Sequence, residues 1–184
     1  MANAGIVVST TEIDTVRLDT IPETENVDMI KIDIQGAELM ALKNGVNRVT
    51  NALVVQTEVE FLEMYVGQPL FSEVDLFMRH CGFSFHRFYP MVSRVVQPLV
   101  IASDPYAGIS QILWADAIFI RDLTKLDVLS NAQLLKYATL LHDCYQSVDV
   151  VMHILVALDR RVGSKLGTAY LEGLQKTGAP IPQQ

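Results

Sequence analysis

Val27-Asp28-Met29-Ile30-Lys31-Ile32-Asp33-Ile34 runs straight into Gln35-Gly36-Ala37-Glu38, and this stretch decides the fold. Ile30, Ile32 and Ile34 share one face of an extended segment, and Met29 adds apolar surface to the other. A strand apolar on both faces belongs in a sheet covered by helices on both sides. Gln35-Gly36 breaks the run, and Gly36 permits a tight turn. Leu39, Leu42 and Val46 then recur at the spacing of one buried helix face, which predicts a helix over 37–43. Glu38 falls in its first turn, where the helix dipole favours negative charge. Asn44-Gly45 is a stop signal, with Gly45 free to take the left-handed conformation. A second strand is expected over 52–59, apolar at its start and acidic at its end. Strand, helix and strand with short connections form a βαβ unit, so the two strands should be parallel.

Working outward, residues 68–81 form an amphipathic pattern with Phe71, Val74, Phe77 and Met78 on one side, ended by Gly82. An aromatic-rich strand is expected over 84–89, stopped by Pro90, a further strand over 95–102, and a last one over 114–121. Phe83, Phe85, Phe88 and Tyr89 read as core. Upstream, 6–9 and 15–18 read as short edge strands, and 22–26 as a loop or ragged turn. After Asp122 the pattern is helical throughout. Ser130 caps one expected helix, with Leu134, Leu135, Ala138 and Leu141 on its inner face. Ser147 caps another, with Val151, Ile154, Leu155, Leu158 and Val162. These two should form an antiparallel hairpin, followed by a short helix over 168–175 and a disordered tail. The expected domains are 1–122, an α/β domain, 123–178, a helical appendage, and 179–184, the tail.

Half of the 184 residues are hydrophobic and 19% are charged, which is a core-forming composition. The net charge of −7, with no basic block, argues against nucleic acid and anionic membranes as partners. No apolar run approaches the roughly 20 residues that span a bilayer, and the first residues lack the pattern of a secretory signal. Cys81 and Cys144 match no disulfide framework or metal spacing, so a reducing cytoplasm is expected. His80, Cys81 and His86 lack a fourth ligand at zinc-finger spacing, and no metal site is expected.

Residues 27–38, with Leu42-Lys43-Asn44-Gly45 after them, resemble the central motif of the FkbM family of methyltransferases. Other segments stand in the order that family shows: Thr15-Val16-Arg17-Leu18-Asp19, Val54-Val55-Gln56-Thr57-Glu58, Gln68-Pro69-Leu70-Phe71 with Gly82-Phe83, and 115–122. The resemblance covers 6–122, about the C-terminal half of the family's domain. It implies an α/β fold that is Rossmann-like, of class I methyltransferase type, with a mostly parallel sheet. The N-terminal half is missing from this reading, and the C-terminal helical hairpin is added to it. Two departures stand out. Gln35 occupies a place where the family has Glu, and no GxGxG-like segment is present to hold the cofactor.

The resemblance implies transfer of a methyl group from S-adenosylmethionine to a hydroxyl of a small molecule or glycan. Asp33 and Glu58, near the ends of adjacent parallel strands, are the candidate catalytic pair. Two neighbouring carboxylates push one pKa upward, which suits a base. Asp33, Gln35, Gly36 and Glu38 are the candidate cofactor-binding residues, and Lys31 is expected to pair with one of the two carboxylates. Plainer readings stand beside these. A strand-end carboxylate also caps the next helix, and Gln56, Glu58 and Glu60 could form one solvated face. The alternative function is a non-catalytic half-domain that associates through the exposed edge of the first strand, with itself or with another chain.

Overall fold

The computed structural model describes residues 9–101, 104 and 106–177. The chain divides into two compact units, Met1–Ile120 and Arg121–Gln184.

The first unit is a four-stranded sheet with helices. Its strands are β1 (Met29–Ile32), β2 (Val54–Glu60), β3 (Phe83–Arg94) and β4 (Gln111–Arg121), in the order β1-β2-β4-β3. The last residue of β4 is the first of the second unit. The predicted βαβ unit is present: β1 pairs parallel with β2, with Ile30 opposite Val55 and Ile32 opposite Thr57. The mostly parallel sheet is not. β4 lies antiparallel to β2 along the whole of β2, from Val54 opposite Ile120 to Glu60 opposite Trp114, so the sheet is mixed. Helices connect β1 to β2 and β2 to β3. β3 leads to β4 through a loop, without the helical crossover that a parallel return requires.

Between β1 and β2 stand two short helices where one was expected, α1 (Glu38–Lys43) and α2 (Val46–Asn51). Gly45 is not left-handed; its φ is −123° at the N-cap of α2. Its glycine identity answers a close approach instead, because an added Cβ would lie 2.7 Å from Leu18 Cδ2. Asp19 explains why α2 starts where it does. Its carboxylate accepts from the N–H groups of Asn47 and Arg48, at 3.1 and 3.0 Å, filling the open donors of a helix N-terminus. Arg48 donates back to the Asp19 and Ile21 carbonyls. Of the segment expected as an edge strand over 15–18, residues 15–17 take no regular structure and Leu18 opens a 3-10 turn, Leu18–Thr20, tied to α2. Pro22–Thr24 is a second such turn. Residues 6–8 of the first expected strand lie outside the described residues, as does the expected tail, 179–184.

Helix α3 (Phe71–His80) buries Val74 and Met78. The unit's core joins these to Ile30, Leu39, Leu42, Val49, Val55, Val59, Phe83, Ala117 and Phe119. Phe61, Phe71, Phe85 and Phe88 pack onto it, with edge-to-face ring centroids 5.1–5.3 Å apart and the tilted Phe85–Phe88 pair at 4.4 Å. Tyr89, also read as core, is exposed. β3 continues through Pro90 rather than stopping there. It is the outermost strand of the sheet, where a missing N–H costs no ladder bond. The further strand expected over 95–102 is reduced to one bridge, Ile101 with Asp104.

The second unit holds α4 (Asn131–Asp143), α5 (Val148–Val162) and α6 (Leu166–Thr177) after a kinked 3-10 segment, Leu123–Val128. Ser130 caps α4 as predicted. It accepts from the Gln133 N–H, and Gln133 reaches back to the Ser130 N–H, a reciprocal capping box. Ser147 is the N-cap of α5 without a side-chain capping bond. α4 packs on α5, and α5 on α6. Leu134, Tyr137, Leu141, Ile154 and Leu158 are buried. The Tyr137 hydroxyl donates to the Arg121 carbonyl, and Arg161 donates to the carbonyls of Leu126 and Leu129. Among the described residues no helix is long and apolar enough to cross a membrane.

Candidate functional site

β1 ends at Ile32, so Asp33 begins a turn rather than closing a strand. In that turn Gln35 and Gly36 both take positive φ, 57° and 102°. The conformation costs a non-glycine residue energy and needs support. Glu38 supplies it. The side chain is buried, and its two oxygens accept from the N–H groups of Ile34 (2.8 Å) and Gly36 (2.9 Å). Through these two bonds Glu38 holds the turn in shape from the first position of α1.

The turn presents Asp33 and Gln35 to solvent beside the carboxyl end of β2. One side-chain amide links the two expected acids. Gln35 Nε2 donates to Asp33 Oδ1 at 3.0 Å and to Glu58 Oε2 at 3.3 Å. Carboxylate oxygens of Asp33, Glu38 and Glu58 all lie within 4.8 Å of one another. Asp33, Gln35, Gly36, Glu38 and Glu58 are therefore assembled in one place, as their positions in the sequence suggested.

The electrostatics are set by crowding. Glu58 is half-buried, and its pKa is pushed up to about 7, chiefly by burial, then by the charges of Asp33, Glu38 and Asp116. Lys31 opposes this only weakly. Contrary to expectation, Lys31 pairs with neither Asp33 nor Glu58. Its nearest acid is Asp116 at 3.6 Å, which also accepts from Gln56 Nε2 at 2.5 Å.

Two acids of this edge were not singled out from the sequence. Asp116 sits directly opposite Glu58 in the β2–β4 register. An acid inside the apolar run Ala115-Asp116-Ala117-Ile118 was a signal, but its partner depends on the register. Glu60 belongs to the alternating set read as solvated, yet it is 4% exposed. Its pKa is also raised to about 7, by burial first and then by Glu38 and Glu58, with Gln68 drawing it back. Gln68 is buried as well. Its Oε1 accepts from the N–H groups of Met64 and Tyr65, which fastens the β2–α3 loop. A Cβ on Gly36 would come within 2.9 Å of Gln68 Nε2 and 3.0 Å of the Tyr65 ring, so this loop leans on the Asp33–Glu38 turn.

None of these residues lines the cavity of about 320 Å³ in the second unit, which lies among Thr124, Asp127, His153, Arg160 and Arg161.

The acids cluster at the carboxyl end of a parallel βαβ pair, the edge outside which open α/β sheets bind ligands. Residues 2–85 match the model of the methyltransferase FkbM domain, a match consistent with a partial domain of that family. The match contains β1, α1, α2, β2, α3 and every residue of the acidic edge except Asp116. No curated protein and no solved structure matches the chain.

Proposed function

We propose that the acidic edge handles the acceptor hydroxyl in an FkbM-type methyl transfer, with S-adenosylmethionine as donor and a small molecule or glycan as acceptor. The observation that carries the reading is the Asp33–Gln35–Glu58 bridge inside the family-matched stretch, with Glu58 titrating near 7. When bound, the donor supplies an electrophilic methyl group on a positively charged sulfonium. The residues present suit that charge, because Asp33 and Glu58 are carboxylates and Lys31 is drawn to Asp116.

Each residue has a part that follows from its place. Glu58 accepts the hydroxyl proton at a side-chain oxygen, and a base titrating near neutrality is well matched to that step. Gln35 fixes the orientation of both carboxylates with its two amide hydrogens. Asp33, exposed at the rim, accepts from the acceptor and orients it. Glu38 keeps Gln35 and Gly36 in their positive-φ conformations, so the edge is preorganised.

Calorimetric titration of the chain with S-adenosylmethionine and with its demethylated product tests the reading. Saturable heat is expected with both, stronger for the cationic donor. Absence of heat with either would remove the methyltransferase reading. That outcome would favour the interaction module, for which one observation speaks: among the described residues no strand pairs with the outer edge of β1.

A further inference from the structure

The β2–α3 loop combines two properties that ordinary surface loops do not share. Its backbone is fastened: Gln68 Oε1 takes the Met64 and Tyr65 N–H groups, Glu63 accepts from the Gly67 N–H, and the Gln68 N–H donates to the Tyr65 carbonyl. Yet three consecutive apolar side chains, Met64, Tyr65 and Val66, are turned outward, with relative exposures of 40%, 45% and 105%. Holding three apolar neighbours in water gains nothing for the fold. The loop also stands in a particular place. Tyr65 lies against Gly36, in the turn whose Gln35 bridges Asp33 and Glu58, and Ile34 of that turn is itself 48% exposed.

We infer that Met64, Tyr65 and Val66 form an apolar lip on the acidic edge, and that the lip takes an aromatic or hydrocarbon part of the acceptor whose hydroxyl meets Glu58. The inference rests on the proposed methyl transfer and narrows its acceptor. A bare sugar would satisfy the carboxylates and leave the lip wet. A hydroxyl compound carrying a ring or short alkyl chain satisfies both. Tyr65 offers a flat face at small entropic cost, since its backbone is already held. Its role is specificity, since it leans from its own loop against the turn that carries Gln35.

Phenyl β-D-glucoside and methyl β-D-glucoside, which carry the same ring hydroxyls, are suitable probes by saturation-transfer NMR on the full chain. The phenyl compound is expected to bind at least about tenfold more tightly, and Tyr65→Ala to remove that preference without changing the methyl compound. Met64→Ser with Val66→Ser, both exposed, gives a second variant should Tyr65→Ala fail to fold. Equal binding of the two glucosides, or a preference that survives both variants, would overturn the lip. Cosedimentation with neutral phosphatidylcholine vesicles, lost in the same variants while neither glucoside binds, would overturn it in favour of a membrane contact. Donor titration separates the two levels. Donor binding without a phenyl preference removes the lip alone, and a phenyl preference without donor binding removes the methyl transfer and leaves an apolar binding edge.

Discussion

The amide of Gln35 donates where a carboxylate could only accept. Asp33 and Glu58, on different elements and far apart in sequence, are joined by that one nitrogen. Replacing Gln35 with Glu removes both bonds and adds a further negative charge to an edge already crowded with carboxylates. Glu58 should then hold its proton to higher pH, and the melting temperature at pH 8 should fall, with little change at pH 5. The wild-type chain carries the same dependence in milder form. Glu58 and Glu60 have folded pKa values of about 7 against an ordinary 4.5. Between those values the folded state keeps protons that the unfolded state has lost, so stability falls as pH rises through this window and the loss is complete above about 7. Glu60→Gln should recover its share, on the order of 1–2 kcal/mol at pH 8 and almost nothing at pH 5, in paired thermal melts. Asp33 and Glu58 were legible because acids closing apolar runs are conspicuous. Glu60 and Asp116 were not, since period-two alternation cannot tell a wet face from a buried one, and facing pairs depend on a register that no single strand encodes.

Elements were legible where the chain settles them locally. The Gly36 turn, the start of α1 and the Ser130–Gln133 box follow from residues within a few positions, and the parallel β1–β2 pair follows from the short connections on either side of the helical segment between them. Helix α2 was missed because its start depends on Asp19, far upstream, and Gly45 was misread for the same reason. Two alanine substitutions separate the two uses of glycine. Gly36→Ala strains a φ of +102° and crowds Gln68 and Tyr65. It should cost about 1–3 kcal/mol in urea unfolding. Gly45→Ala needs no unusual φ, and its cost, about 1–3 kcal/mol from overpacking against Leu18, should shrink when Leu18→Ala is added. The strand expected over 84–89 is present, and its continuation to Arg94 escaped notice because Pro90 ends most strands and is tolerated here by the sheet order.

At the scale of the molecule, the family match and the folded unit have different limits. The match ends at residue 85, while the first compact unit runs to Ile120. The difference holds most of β3 and nearly all of β4, and β4 pairs with every residue of β2 and separates it from β3. A chain ending at residue 85 should therefore fail to fold, giving poorly dispersed amide spectra, although it holds Asp33, Gln35, Glu38 and Glu58. The mixed sheet was hidden in the sequence for this reason, because an apolar strand reads the same whichever way it runs.

The position of β4 also sets an order of events during synthesis. The ribosome releases β1, the helices and β2 long before residues 111–121 leave the exit tunnel, and until then β2 has an open flank. The nascent chain must keep that flank from pairing with the wrong neighbour, and the acids toward its end, charged at cellular pH when still exposed to water, are well suited to repel one.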